Sequence, residues 1–335
     1  MQAGARLTDV CGLLFELSSH DRLRMLLALD EKPMIATRIA QKLDLTVQEA
    51  SRHLSRLEAM GLTEKDPEGL HHASRYGRLV LGHLPGLEFT FQHRSYFSTH
   101  AIDALPREFL CRLGELGGST LTEDVMIGFH NVDKMLGRAE QYVWTATDQY
   151  LPSQAPYFQK ALERGITMRN IDAPYSIPPQ EQPEEWERPE FEGVLNRARA
   201  KGQLEERLLD GLDVYLFMSE KEVAAVAFPL PDGRFDYAGF SSSDGRAIQW
   251  CRDLYEHYWQ KGRPREEVIN EHQRWLLRRP GAIDALRKVG QGKEQSPGSQ
   301  GFRELEDRRL ISQSKLTYLG HVLYGRLTKP RPTPG

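Results

Sequence analysis

Between Thr46 and Gly61 the chain specifies both ends of one helix. Thr46 followed three residues later by Glu49 is a capping box, in which each residue satisfies a backbone or side-chain donor of the other. Gly61 supplies the residue best able to turn the chain out of a helix through left-handed backbone angles. Ala50, Leu54 and Leu57, spaced i, i+4 and i+7, give this segment one apolar face. The opposite face carries Gln48, Ser51, Arg52, Ser55 and Arg56.

The flanking sequence turns this helix into a module. Asp9–Asp30 reads as helix in two pieces, broken at Ser18-Ser19, and Pro33 ends it. Met34–Leu43 reads as a second helix with Ile35, Ile39, Ala40 and Leu43 on one side, and Asp44-Leu45 makes a short turn into the capped helix. Beyond Gly61, Leu62–Lys65 and Leu70–Ala73 read as two short strands joined by the turn Asp66-Pro67-Glu68-Gly69, and Ser74 opens another helix, with Tyr76, Leu79, Val80 and Leu84 available for packing or pairing. The order is helix–turn–helix–hairpin–helix. In such an arrangement the second helix enters the major groove and the hairpin, or wing, reaches the sugar-phosphate backbone. Arginine can bond guanine bidentately, glutamine can bond adenine, and serine suits base or phosphate. The candidate DNA contacts are therefore Thr46, Gln48, Ser51, Arg52, Ser55 and Arg56 on the helix, with Lys65 and His71 on the hairpin. Ser51-Arg52-His53-Leu54, Leu57, Gly61-Leu62 and the wing turn Asp66–Gly69 resemble the ArsR-like winged-helix regulators over roughly residues 8–90. The metal-binding cysteines of some members have no counterpart in this recognition-helix region.

The 335 residues suit two or three domains rather than one core. The net charge of −3 is distributed unevenly. Residues 1–95 hold 12 basic and 12 acidic side chains, residues 96–270 hold 19 and 29, and residues 271–335 hold 13 and 6, so an acidic middle precedes a basic end. The acidic middle repels DNA and the basic end attracts it. Cys11, Cys111 and Cys251 are odd in number and far apart, which argues against a zinc site or a disulfide framework; they read as small buried apolar residues. No apolar run is long enough to span a membrane, and Met1–Thr8 lacks the basic and apolar parts of a secretory signal, so a cytoplasmic location is expected.

The middle of the chain alternates helix and strand signals. Glu123–Ala139 and Ala155–Arg164 read as helices, and Gln141–Thr147 and Ile166–Ile171 as strands, which predicts a partly parallel sheet under helical cover. The proline-rich, acidic stretch Ala173–Pro189, which includes Glu184-Glu185, reads as a loop or flap. A helix is expected over Leu195–Glu205, strands over Arg207–Leu209, Val214–Met218, Val223–Phe228 and Arg234–Phe240, and a further helix over Asp244–Gln260. Tyr96-Phe97-Ser98, Leu105-Pro106, Phe228-Pro229, Pro231-Asp232-Gly233, Asp236-Tyr237-Gly239-Phe240 and Trp250–Tyr255 before Tyr258-Trp259 resemble the regulatory domain of archaeal FilR-type (methanogenesis regulator) proteins, over roughly residues 95–262. The resemblance implies an effector domain and names no ligand. A looser analogy, to the sugar-responsive TrmB-type regulators, suggests a degenerate phospholipase-D-like fold, but the chain has no His-x-Lys pair to carry that chemistry. Open α/β sheets bind ligands at strand ends. This singles out Trp144, Thr145, Thr147, Asp148, Asp172, Asp236 and Tyr237 as candidate ligand residues, against the alternative that the aromatics are core and the aspartates are caps.

The C-terminal stretch echoes the N-terminal one. Leu54–Glu58 corresponds to Phe302–Glu306, Gly61-Leu62-Thr63 to Arg309-Leu310-Ile311, and Tyr76–Leu81 to Leu319–Tyr324, with a hairpin shorter by five residues. Ala282–Val289 reads as the preceding helix and Ser296-Pro297-Gly298-Ser299 as the lead into the next. The surplus of basic residues favours phosphate contact, whereas the short wing and Glu304, Glu306 and Asp307 favour subunit pairing. Phosphate-loop, zinc-protease, nucleophile-elbow and dinucleotide motifs are missing from the sequence, and His71-His72 on a strand point to opposite faces, so no catalytic residues, metal or cofactor are expected.

The expected fold class is multidomain α+β: a winged helix-turn-helix over 1–93, a central α/β regulatory domain over 94–268, a degenerate winged-helix-like segment over 269–328 and a proline-rich tail over 329–335. The expected function is a homodimeric transcription regulator that binds double-stranded DNA and is modulated by a ligand, such as a small-molecule effector, or by a partner at the central domain. The alternatives are a small-molecule-processing enzyme with an accessory winged helix and a winged-helix interaction scaffold.

Overall fold

The computed structural model describes residues 2–149, 152–177, 189–293 and 299–328. Most of the proline-rich stretch with Glu184-Glu185, the Ser296-Pro297-Gly298 lead and the 329–335 tail lie outside the described residues. The chain divides into two compact units, residues 1–92 and 93–335.

In the first unit, α1 (Gln2–Leu17) and α2 (His20–Glu31) separate at Ser18-Ser19. The next elements are α3 (Ala36–Leu43), α4 (Val47–Ala59), the antiparallel strands β1 (Thr63–Lys65) and β2 (His71–Ala73), and α5 (Arg75–Gln92). The sequence places the start of α3 at Met34. The chain instead holds Met34 extended, exchanging two backbone bonds with His71 (3.0 and 2.9 Å), so the helix begins two residues later. Met25, Leu26, Leu29, Ile39, Ala40, Ala50, Leu54, Leu57 and Leu62 form the core, so the predicted apolar faces of α3 and α4 meet there.

In the second unit, the short helices α6 (Arg94–Phe97) and α7 (Arg107–Leu110) lead to β3 (Thr120–Thr122), α8 (Val125–Arg138), β4 (Tyr142–Thr147), α9 (Ala155–Glu163), β5 (Thr167–Asp172), α10 (Pro189–Ala200), β6 (Leu204–Leu208), β7 (Tyr215–Ser219), β8 (Val223–Ala227), β9 (Gly239–Ser242), α11 (Gly245–Lys261) and β10 (Arg263–Pro264). These strands form one eight-stranded sheet in the order β10-β6-β5-β4-β7-β8-β9-β3. Strands β4, β5 and β6 run parallel and the other pairings are antiparallel, which gives the mixed sheet expected from the helix–strand alternation. Val143, Met168, Leu204 and Phe217 on one face pack with apolar residues of α8, α9 and α10. On the other, Trp144 stacks on Tyr255 of α11, whose hydroxyl donates to the Arg169 carbonyl (2.7 Å).

Two expectations fail for identifiable backbone reasons. The helix expected over 195–205 ends at Ala200, because Gly202 takes left-handed angles (φ +68°) and the chain re-enters the sheet at Leu204. The strand expected over 234–240 starts only at Gly239, because Tyr237 is left-handed (φ +62°), which no strand residue can be. The cysteine reading is also corrected. Only Cys251 is buried, while Cys11 and Cys111 are exposed.

The chain then continues through α12 (Arg265–Leu277), which the sequence reading did not identify, to α13 (Pro280–Gly290), α14 (Gln300–Asp307), a hairpin of β11 (Ile311–Ser312) and β12 (Lys315–Leu316), and α15 (Tyr318–Thr328). From α13 onward the element order repeats that of α3 to α5, and so do the atoms that hold it. Leu62 N–H donates to the Leu57 carbonyl and Leu310 N–H to that of Leu305, both at 2.9 Å. Gly61 and Arg309 are both left-handed, at φ +71° and +55°. The Ser74 hydroxyl donates to the Gly61 carbonyl (2.5 Å) and accepts from Gly77 N–H (2.8 Å). The Thr317 hydroxyl donates to the Arg309 carbonyl (2.9 Å) and accepts from Gly320 N–H (3.3 Å). A Cβ on Gly77 would lie 2.1 Å from the Leu62 oxygen, and one on Gly320 would lie 2.1 Å from the Leu310 oxygen.

That approach leaves no room for a methyl group. Gly77→Ala is expected to destabilise the first unit by roughly 1–3 kcal/mol, the range for overpacking. Gly82→Ala, in the same helix with open space around it, is expected to be neutral or mildly stabilising. Thermal melts of the two variants test this, and equal melting temperatures would remove the close approach as a constraint.

Candidate nucleic-acid interface

Helix α4 is fixed at its start by the predicted capping box. Glu49 N–H donates to the Thr46 hydroxyl (3.2 Å), while Thr46 N–H and the Thr46 hydroxyl donate to the Glu49 carboxylate (2.9 and 2.7 Å). The backbone and hydroxyl donors of Thr46 keep the Glu49 carboxyl below the usual carboxylate range. With Ala50, Leu54 and Leu57 buried, the rest of the helix surface is fixed as the outer face.

The eight predicted contact residues fall into distinct states. Gln48, Arg52 and Lys65 are exposed and make no hydrogen bond or ion pair among the described residues, and Ser51 is exposed beside them. The Thr46 hydroxyl is occupied by the cap. The Ser55 hydroxyl donates back to the Ser51 carbonyl (3.0 Å), a bond within the helix. Arg56 is held by Glu16 of α1, 40 residues earlier, through Nε to Oε2 (3.0 Å) and Nη2 to Oε1 (2.5 Å). The same carboxylate meets Arg22 of α2 (2.9 Å). These bonds, that from Arg56 foremost, hold the Glu16 carboxyl below its ordinary range despite burial.

His71 does not fit its predicted role. Its side chain is buried, and its Nδ1 is buried with no hydrogen-bond partner among the described residues. In the ladder, Lys65 pairs with His71 and Glu64 with His72, which is the less buried of the two histidines. The period-2 alternation that separates the two rings could be read from sequence, but which ring faces inward depends on the packing beneath the hairpin. The sequence reading missed Glu16 and Arg22 because nothing local links them to Arg56.

The seven candidate ligand residues of the second unit do not form one site. Asp148, Thr147 and Tyr237 come together at the end of β4. The Tyr237 hydroxyl donates to Asp148 (3.3 Å), Gln149 bonds the same hydroxyl, and the Thr147 hydroxyl donates to the Gln149 carbonyl (2.5 Å). Burial raises the Asp148 carboxyl, and burial with that neighbouring carboxylate raises the Tyr237 phenol. Thr145 is fully buried on the same side of the strand. Trp144 points to the other face, between Tyr142 and Tyr255 with the Arg169 guanidinium 5.5 Å from its ring. Asp236 instead meets His100 (3.2 Å), which stacks on Tyr96. Asp172 is buried near Tyr318 of α15, a phenol pushed up by burial and then by the Asp172 and Glu206 charges. Among the described residues no cluster could hold a metal ion, and no helix is long and apolar enough to cross a membrane.

Residues 17–66 match the helix-turn-helix domain family. The chain thus carries a helix-turn-helix domain, followed by an α/β region built on a large sheet. No curated protein matches the chain. Among solved structures it is similar to TrmBL2, described as an archaeal chromatin protein with a novel mode of DNA binding, at 15% identity and TM-score 0.34 over 74% of this chain and 96% of that one. It is similar to NucT from Helicobacter pylori at 13% identity and TM-score 0.31, over 44% of this chain and 98% of that one. It is also similar to the dimethyltransferase RosA from Streptomyces davawensis at 13% identity and TM-score 0.24, over 62% and 66%. At these scores nothing about this chain follows from those likenesses.

Burial holds the imidazoles of His71 and His53 below their ordinary range. Unfolding returns them to about 6.5. The unfolded chain therefore binds more protons below that pH. The contribution of these two groups to stability is complete above about 6.5 and is lost as pH falls toward the lower folded values. Urea unfolding should show a lower midpoint at about pH 5 than at about pH 7.5, with a smaller difference in His71→Gln. A midpoint that is flat with pH, or an unchanged difference in the variant, would refute this assignment.

Proposed function

We propose that this protein is a DNA-binding transcription regulator that reads duplex DNA with the outer face of α4 and touches the backbone with its β1–β2 wing. One observation carries the reading: Gln48 and Arg52 stand exposed, with no hydrogen bond or ion pair among the described residues, on a firmly capped helix of a helix-turn-helix domain. Arg52 and Gln48 lie in the N-terminal half of α4, the part that reaches base edges in this geometry. Lys65 on the wing suits a phosphate.

Recognition by two copies of the chain is supported by exposed apolar side chains. Tyr76, Leu79 and Leu87 on α5 and Val10 and Leu14 on α1 are exposed, and a second copy would bury them while presenting two α4 helices to a two-fold site. The C-terminal repeat is assigned a structural part. Helix α14 has eight residues against thirteen in α4, and Glu304 stands where α4 has Arg56. It therefore lacks both the entering turn and the charge. Effector binding is assigned to the Asp148–Gln149–Tyr237 group, at the carboxyl end of a parallel strand, where sheets of this kind take ligands. No enzymatic step is assigned.

Fluorescence anisotropy with labelled duplex DNA at several salt concentrations tests the DNA-binding reading. Arg52→Ala is expected to weaken specific binding about tenfold or more, consistent with about 1–3 kcal/mol for a bidentate base contact. Lys65→Ala should weaken binding to all duplexes alike and reduce the salt slope by about 0.9. Parent-like binding by Arg52→Ala would rule out α4 as the reader.

A further inference from the structure

We propose that Glu16 is a positioning residue for DNA binding, holding the Arg56 guanidinium by one edge so that its free end meets a phosphate. This deepens the DNA-binding reading above and rests on it. Glu16 takes the Nε and Nη2 edge of Arg56, and Nη1 has no partner among the described residues. The Glu16 side chain is only 10% exposed, whereas that of Arg56 is 44% exposed. The anchor lies inside and the cation lies at the surface, on the face that carries Gln48 and Arg52.

A carboxylate beside a phosphate-binding cation would normally cancel the charge that DNA needs. Here a second guanidinium offsets it. Arg22 is 8% exposed, contacts Glu16 at 2.9 Å and donates to the carbonyls of Glu16 (2.8 Å) and Phe15 (2.9 Å), so it is fixed in the interior. Two guanidiniums around one carboxylate leave a net charge of about +1, carried by the exposed member. The Phe15 ring supports both, 5.9 Å from Arg22 and 5.5 Å from Arg56. A free surface arginine loses rotamer freedom when it binds, and one held in advance by a planar two-point bond loses less. Helix α1 thereby contributes to DNA affinity without touching DNA.

The test measures binding of the full chain to a fluorescein-labelled mixed-sequence duplex across a salt series. Arg56→Ala should lower affinity and reduce the salt slope by about 0.9, one phosphate contact. Glu16→Gln should lower affinity by about threefold to tenfold, the ordering cost of one long side chain, with the slope unchanged. Adding Glu16→Gln to Arg56→Ala should cost nothing further. Arg56→Lys keeps the charge but loses the two-point bond, so it should keep the slope and lose affinity as Glu16→Gln does; this variant decides the matter should Glu16→Gln fail to fold. Parent-like or tighter binding by Glu16→Gln, or an equal loss in the Arg56→Ala background, overturns the positioning role and leaves the α4 reading standing. A parent chain that binds no duplex at low salt overturns both.

Discussion

In each helix–hairpin unit a glycine of the last helix packs directly against the carbonyl of the residue that opens the hairpin. Gly77 sits against the Leu62 carbonyl and Gly320 against the Leu310 carbonyl, each at a separation that excludes a side chain. A hydroxyl three residues earlier, on Ser74 or Thr317, ties the same helix start to the left-handed residue before the strand. This contact sets how the hairpin leaves the recognition-type helix, and so fixes where the wing lies relative to α4. The same lock serves two outcomes. In the first unit it supports an exposed, polar α4 and a wing with room for Asp66–Gly69. In the second it supports a shortened α14 and a two-residue turn at Gln313 and Ser314, both left-handed, as a tight hairpin needs.

The residues that suggested a regulatory domain turn out to be the frame of the large sheet. The Tyr96 hydroxyl donates to the Ala238 carbonyl (3.1 Å) and accepts from Phe228 N–H (3.0 Å), joining three of the quoted sequence segments in one hydrogen-bonded point. Phe97, Phe228 and Phe240 pack around that ring, and Trp250 donates to the Phe109 carbonyl (3.2 Å). Burial pushes the Tyr96 phenol above its ordinary range, in keeping with this donor role. These residues hold β8, β9 and the entry segment together. Of the aromatics quoted in that resemblance, only Tyr237 takes part in the polar group at the end of β4.

Charge along the sequence was a poor guide to the candidate interface. The first unit has as many acids as bases, but balance along the chain says nothing about balance on a face. Glu16 is turned inward onto Arg22 and Arg56, Glu49 is spent on the cap, and Asp30 and Glu31 pair with Arg78 and Lys42. Among the described residues Gln48, Arg52 and Lys65 form no ion pair. The surplus of bases at the C-terminal end has the opposite fate. Arg279 and Arg308 both lie over the Trp275 ring, Arg309 lies over Tyr175, and Arg326 pairs with Glu266, so much of that charge holds helices together.

What the sequence determined by itself was local. The capping box at Thr46 and Glu49, the inward face of Ala50, Leu54 and Leu57, the exit at Gly61, the wing turn, and strands β4 and β5 each depend on residues within a few positions of one another, where backbone preference and periodicity act directly. The repeat was legible for the same reason, since the segments on either side of the hairpin recur with matching internal spacing although the second hairpin is five residues shorter. Only tertiary structure decided that His71 rather than His72 faces inward, that Arg56 is held by a carboxylate 40 residues away, and that Trp144, Asp172 and Asp236 go to three separate places while Asp148 and Tyr237 meet. Those outcomes depend on which elements pack together, and a long-range contact leaves no periodic trace in the chain that makes it.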